Sequence, residues 1–157
     1  MKILLAVDGS TCGEAAVTEV ANRPWPEGSE IRIISVVQPP PKPVGVLLDI
    51  PPDYYAELEK AARAPAQITV EDAQSKLRSG VDRSITITAA VPIGSPKKAI
   101  VDEAESWGAD LIVLGARGLG PWERLLLGSV SHAVVQYAKC SVEIVRAREK
   151  QQVMNPA

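Results

Sequence analysis

Apolar positions along the chain switch between two spacings, one of strands and one of helices. Lys2 to Val7 is a short apolar run closed by Asp8-Gly9-Ser10, which predicts a buried strand. From there Ala15, Ala16, Val17, Val20 and Ala21 recur at helical spacing up to Asn22 and Pro24. Glu30 to Val37 is β-branched and apolar, and reads as a second strand. A proline-rich connection over 38–52 follows. Tyr54 to Ser79 has helical composition, in which Pro65 predicts a kink or a break and Gly80 a stop. Ile85, Ile87, Ala89 and Val91 alternate with Ser84, Thr86, Thr88 and Ala90, the pattern of a half-exposed strand at a sheet edge.

Gly94-Ser95-Pro96 is a helix start, with Ser95 placed to cap and Pro96 suited to the first helical position. Ile100, Ala104 and Trp107 share one face of that helix, and Gly108 ends it. Leu111 to Leu114 is continuously apolar, as expected of a strand buried on both faces. Val130, Val134 and Ala138 give one more helical stripe, and Ser141 to Arg146 the last strand. Residues 147–157 are mostly polar. Strand and helix thus alternate four times before a closing strand. This predicts a single α/β domain: a five-stranded parallel sheet with right-handed crossovers and helices on both faces.

Composition narrows the picture. The 157 residues are 46% hydrophobic with no Phe, so an aliphatic core is required. A net charge of -2 argues against a dedicated nucleic-acid binder. No apolar run is long enough to span a bilayer, and no partner membrane is expected. Cys12, Cys140 and the single His132 are too few for a structural zinc site, and no disulfide framework is expected. A reducing cytoplasm is the expected compartment.

In open parallel sheets, ligands bind beyond the carboxyl ends of the strands where the strand order reverses. After the fourth strand stands Gly115-Ala116-Arg117-Gly118, then nine residues, then Gly128-Ser129-Val130-Ser131 opening a helix. Gly115 and Gly118 permit positive dihedrals and close approach of a ligand. Gly128, Ser129 and Val130 offer N–H groups at the positive end of a helix dipole. Ser129 and Ser131 add hydroxyls and Arg117 a charge. Together they describe a phosphate cradle. Neither the common phosphate loop nor the dinucleotide fingerprint occurs. Asp8 admits two roles, capping the first helix or touching a ligand. His132 lacks an evident catalytic partner, and Cys12 and Cys140 are expected to be structural.

The Gly-x-x-Gly, nine residues, Gly-Ser arrangement resembles the ATP-binding signature of the universal stress protein family. Lys2 to Ser10 resembles that family's opening strand and Asp-Gly-Ser turn. Gly94-Ser95-Pro96, Ala109 to Gly115 and Lys139 to Val145 resemble its third-helix start, its fourth strand and its closing strand. The resemblance runs from about Met1 to Arg146. It implies a five-stranded, Rossmann-like fold of the adenine nucleotide alpha hydrolase-like type over 1–147, with a polar tail over 148–157. It further implies that Gly115, Arg117, Gly118, Gly128, Ser129, Val130 and Ser131 hold ribose and phosphates. Ala6, Val7 and Asp8 would lie at the nucleoside end, Asp8 near ribose or a phosphate-bound Mg²⁺. Val37 would offer backbone groups to adenine.

The implied function is a nucleotide-dependent regulator in the stress response that binds ATP, ADP or AMP, forms a homodimer through the last strand (142–146) and acts on an unknown protein partner. A slow ATPase or phosphotransferase using the same site, and a nucleotide-independent scaffold, are the alternatives. Two features depart from the family pattern: Ser141, where the family often has Pro, and Pro65 within the second helix. Val46, Leu47, Leu48 and Ile50 are unusually apolar for a solvated loop, and would cover the nucleoside or pack between subunits.

Overall fold

The computed structural model describes residues 1–39, 52–119 and 127–147. Strands and helices alternate as β1 (Lys2–Ala6), α1 (Thr11–Asn22), β2 (Glu30–Ile34), α2 (Pro52–Gly80), β3 (Thr86–Ala90), α3 (Pro96–Trp107), β4 (Leu111–Gly115), α4 (Ser129–Tyr137) and β5 (Ser141–Val145). The five strands form one parallel sheet in the order β3-β2-β1-β4-β5. β1 is central, with Ala6 opposite Ile34 on one side and Leu114 on the other. The sense of the strand order reverses between β1 and β4, and there the carboxyl ends open a crevice.

The strict alternation of a strand divides β1 between two cores. Ile3, Leu5 and Val7 pack with Ala16, Val17 and Val20 of α1 and with Val70, Ala73 and Leu77 of α2. Leu4 and Ala6 face the other way, onto Ile100 and Ala104 of α3 and Val134 of α4. Both layers are aliphatic, as the missing phenylalanines require. The described residues contain no helix long and apolar enough to cross a membrane.

α3 starts at Pro96 and stops at Gly108, whose left-handed backbone (φ 72°) closes the last turn. Ser95 holds the cap position but makes no side-chain capping bond. β3 lies at one edge of the sheet, as expected, and β5 at the other, with one side unpaired. The C-terminal end of α1 is tied to β5 by Arg23, whose guanidinium meets both carboxylate oxygens of Glu143 at 2.7 Å and Glu19 at 2.9 Å.

Two expectations need correction. Of the kink or break expected at Pro65, the break does not occur: α2 runs from Pro52 to Gly80 with Pro65 inside. Proline removes the bond that its N–H would give to the carbonyl of Ala61. Ala61 and Pro65 are both exposed, so the ring and the orphaned carbonyl face water. The Thr69 hydroxyl donates to the Pro65 carbonyl at 3.0 Å and supports the next turn. β2 ends at Ile34, short of Val37. Ser35 N–H still reaches the Ala90 carbonyl, and Val37 N–H the Pro92 carbonyl. The rung between them needs an N–H from Pro92, which has none. Val37 therefore pairs with Ile93 only as an isolated bridge. The tail (148–157) and the apolar positions Val46, Leu47, Leu48 and Ile50 lie outside the described residues.

Candidate functional site

The site is built where β1 and β4 deliver their chains side by side. At the end of β1, Val7 N–H donates to the Ile34 carbonyl at 2.9 Å, and its side chain is buried. Ala6 is buried as well, whereas Asp8 is exposed. Gly9 turns the chain with φ 77°, a conformation that L side chains rarely adopt. Ser10 then caps α1: its hydroxyl accepts the Gly13 N–H at 3.1 Å. The capping role open to Asp8 therefore belongs to Ser10. Asp8 instead uses Oδ1 to accept the Ser10 N–H at 3.0 Å.

The carboxylate of Asp8 lies in a slot between two glycines. A Cβ on Gly13 would stand 2.9 Å from Asp8 Oδ1, and one on Gly118 would stand 2.5 Å from Asp8 Oδ2. Gly115, at the end of β4, touches the same turn from below. Its Cβ would meet the Cys12 carbonyl carbon at 2.7 Å and the Gly13 nitrogen at 2.8 Å. The expected positive dihedrals are not what these positions use. Among the described glycines only Gly9, Gly28, Gly94 and Gly108 have positive φ. At Gly115 the backbone of α1 leaves no room for a side chain, and at Gly118 a Cβ would displace the Asp8 carboxylate.

Beyond Gly115 the chain is held from two directions. The Ala116 carbonyl accepts the Gly128 N–H at 2.7 Å and the Ser131 hydroxyl at 2.8 Å. The Arg117 carbonyl accepts the Ser10 hydroxyl at 3.2 Å. Arg117 is half-buried and Gly118 exposed. α4 begins just after Gly128, and its first intrahelical bond runs from His132 N–H to the Gly128 carbonyl at 3.0 Å. The N–H groups of Ser129, Val130 and Ser131 thus have no partner within the helix. The positive end of the α4 dipole lies beside the 116–118 turn.

Two predicted ligand groups are already engaged. The Ser131 side chain is buried, and its hydroxyl serves the Ala116 and Gly128 carbonyls rather than pointing outward. What Ser131 can still offer is its N–H. Val37 gives its N–H to the Pro92 carbonyl, and its own carbonyl accepts from Gly94, both at 2.9 Å. Only the second lone pair of that carbonyl remains for a base. The structure brings Asp8, Gly115, Arg117, Gly118, Gly128 and the α4 N-terminus together around one turn. Ala6 and Val7 lie beneath them, and Val37 at the end of the neighbouring strand.

The sequence reading missed Ser10 and Gly13 as site residues. A signal existed for Gly13: a glycine inside the first turn of a helix costs about 1 kcal/mol against alanine. Its presence there implied a close neighbour.

Cys12 is buried, and burial pushes the Cys140 thiol above its usual range. His132 is exposed on α4. No group of three His, Cys, Asp or Glu side chains that could hold a metal occurs among the described residues. A cavity of about 650 Å³ opens at the amino ends of the strands, lined by Arg23, Trp25, Gly80, Val81, Asp82 and Ile85 among others. Two of its charged groups are engaged within the fold. Arg23 pairs with Glu143 and Glu19, and Asp82 accepts the Ser84 N–H, which holds its carboxyl below the usual range. The crevice at the opposite ends carries the open donors and is the better candidate.

A model of the universal stress protein family matches residues 1–146. The chain belongs to the universal stress protein family. Universal stress protein YxiE of Bacillus subtilis is 30% identical over 148 residues, covering 92% of this chain and 98% of its own. The solved structure of universal stress protein UspA from Lactobacillus plantarum superposes with a TM-score of 0.78 at 28% identity, over 93% of this chain and 97% of that one. A universal stress protein from Arabidopsis thaliana, solved with AMP bound, shares the fold with a TM-score of 0.66 at 19% identity, over 99% of this chain and 97% of that one.

Proposed function

We propose that this universal stress protein binds an adenine nucleotide (ATP, ADP or AMP) in the crevice between β1 and β4, and that occupancy regulates a protein partner in the cytoplasm during stress. One observation carries the reading. At the switch point of the sheet, three helix N–H groups of α4 and the Asp8 carboxylate flank a turn whose glycines exclude side chains. A triphosphate or monophosphate fits donors of this kind without a dedicated charged pocket. The AMP-bound relative from Arabidopsis shows that a protein of this fold can hold such a ligand.

In this reading the N–H groups of Gly118, Ser129, Val130 and Ser131 receive phosphates, with the Ser129 hydroxyl and Arg117 beside them. Gly115 and Gly128 let the ligand approach the backbone. Ala6 and Val7 form the floor under the nucleoside, and the Val37 carbonyl takes the adenine amino group. Asp8 is a single exposed carboxylate, which suits a ribose hydroxyl or a Mg²⁺ carried in on the phosphates. Magnesium is commonly held by one or two carboxylates together with substrate phosphates. Bound nucleotide stabilises whichever conformation it prefers, and a partner reads that state.

The unpaired side of β5, around Val142 to Arg146, is the proposed homodimer contact. Sedimentation should show a dimer whose share rises with protein concentration. A wild type that stays monomeric across concentration contradicts this contact. Nucleotide occupancy is tested by denaturing freshly purified protein and identifying what it releases by chromatography and mass spectrometry. The expected result is an adenine nucleotide in near-stoichiometric amount. Release of a different ligand class would reject the assignment.

A further inference from the structure

We infer that Ser10 is a positioning residue for phosphate binding, acting through the Arg117 carbonyl to aim the Gly118 N–H at the ligand. The inference rests on the adenine-nucleotide reading above, and concerns a residue to which that reading gives no role.

Ser10 is a common type of helix cap, and its bond from Gly13 N–H needs no further explanation. The cap uses only a lone pair of the hydroxyl, so its one proton is available elsewhere. Ser10 is buried, and that proton goes to the carbonyl of Arg117, on a segment 107 positions further along the chain. Its own N–H meanwhile holds Asp8 Oδ1. One residue thus joins the β1–α1 turn, the Asp8 carboxylate and the turn after β4.

The direction of the second bond matters. Peptide units are planar and trans, so the carbonyl of Arg117 and the N–H of Gly118 point opposite ways. With the carbonyl drawn toward Ser10, the Gly118 N–H faces away from α1. Gly118 is exposed, and its N–H has no partner among the described residues. The preceding carbonyl, that of Ala116, is fixed from the other side by Gly128 and the Ser131 hydroxyl. The turn is therefore latched to α1 through Ser10 and to α4 through Ser131. Without the Ser10 hydroxyl the Arg117 carbonyl loses a bond that sets the orientation of the 117–118 peptide. A flipped unit would present a carbonyl oxygen to an anion in place of a donor.

The test compares ATP with adenosine, which lacks phosphates, on wild type, Ser10→Gly and Ser10→Thr. Glycine at a helix cap costs the helix little, so Ser10→Gly removes the donor with the cap largely tolerated. Threonine keeps both hydroxyl functions. Ser10→Gly should weaken ATP about tenfold, the size of one lost charge-assisted hydrogen bond, and leave adenosine unchanged. Ser10→Thr should keep the wild-type preference for ATP. Ser10→Ala carries the same comparison if the glycine variant is not recovered folded. Equal losses for ATP and adenosine would show a merely structural serine and overturn the inference. An unchanged ATP affinity would overturn it too, while leaving the nucleotide reading intact. A folded wild type that binds neither ligand overturns both.

Discussion

Gly115→Ala should destabilise the protein by about 3 kcal/mol, at the upper end of the cost of overpacking. The added methyl would lie 2.7 Å from the Cys12 carbonyl carbon, 2.8 Å from Cys12 Cβ and 2.8 Å from the Gly13 nitrogen. Two of those three contacts are backbone atoms in the first turn of α1, so no rotamer change relieves them. Either α1 slides along the sheet or β4 retreats from β1. α1 packs Ala16, Val17 and Val20 into the first core, so sliding would disturb that layer. A loss of this size in a chain of this length lowers Tm by about 6–12 °C. Thermal or urea unfolding measures it. A loss below about 0.5 kcal/mol would mean that the close approach of β4 and α1 does not exist in solution.

Gly118→Ala should behave in the opposite way, with stability nearly kept and binding lost. Its methyl would stand 2.5 Å from Asp8 Oδ2, the end of a rotatable side chain at an exposed position. The backbone there does not have positive φ, so alanine adds no conformational strain. The carboxylate can swing away at a cost of less than about 1 kcal/mol, the usual range for surface changes. What it gives up is its place between Gly13 and Gly118 beside the phosphate donors. The methyl also occupies the approach to the Gly118 N–H. Losing one charged hydrogen bond and its close contact corresponds to roughly a hundredfold weaker nucleotide binding. Titration calorimetry on the folded variant reads this directly. An ATP affinity equal to wild type would remove the 115–118 turn from the site. Because the two residues share one contact, Asp8→Ala and Gly118→Ala should be less than additive in a double-mutant cycle.

This contrast marks where sequence reasoning stops. The apolar runs of β1 and β4 and the stop at Gly108 follow from local chemistry, and were legible. The end of β2 was not, because it depends on a missing N–H on Pro92 across the sheet. Pro65 predicts a kink or a break, and that the helix continues through it becomes visible only once its solvent-facing side is placed. The glycine motif pointed to the right place for a different reason. Sequence cannot distinguish a glycine that needs positive φ from one that needs room. Gly115 and Gly118 are of the second kind, and their neighbours come from the other end of the chain. Ser131 shows the same limit: a hydroxyl at a helix start can face a ligand or tie down the loop below it, and here it does the second.

Titration of nucleotide-free protein with ATP in the presence of Mg²⁺ tests adenine-nucleotide binding most directly. The expected result is a single saturable site per chain, with Tm rising as ATP is added. At a ligand concentration a hundred times Kd, linkage alone contributes about 2.7 kcal/mol of stability. A folded wild type that gives no binding heat and no change in Tm up to millimolar ATP, ADP and AMP would contradict it.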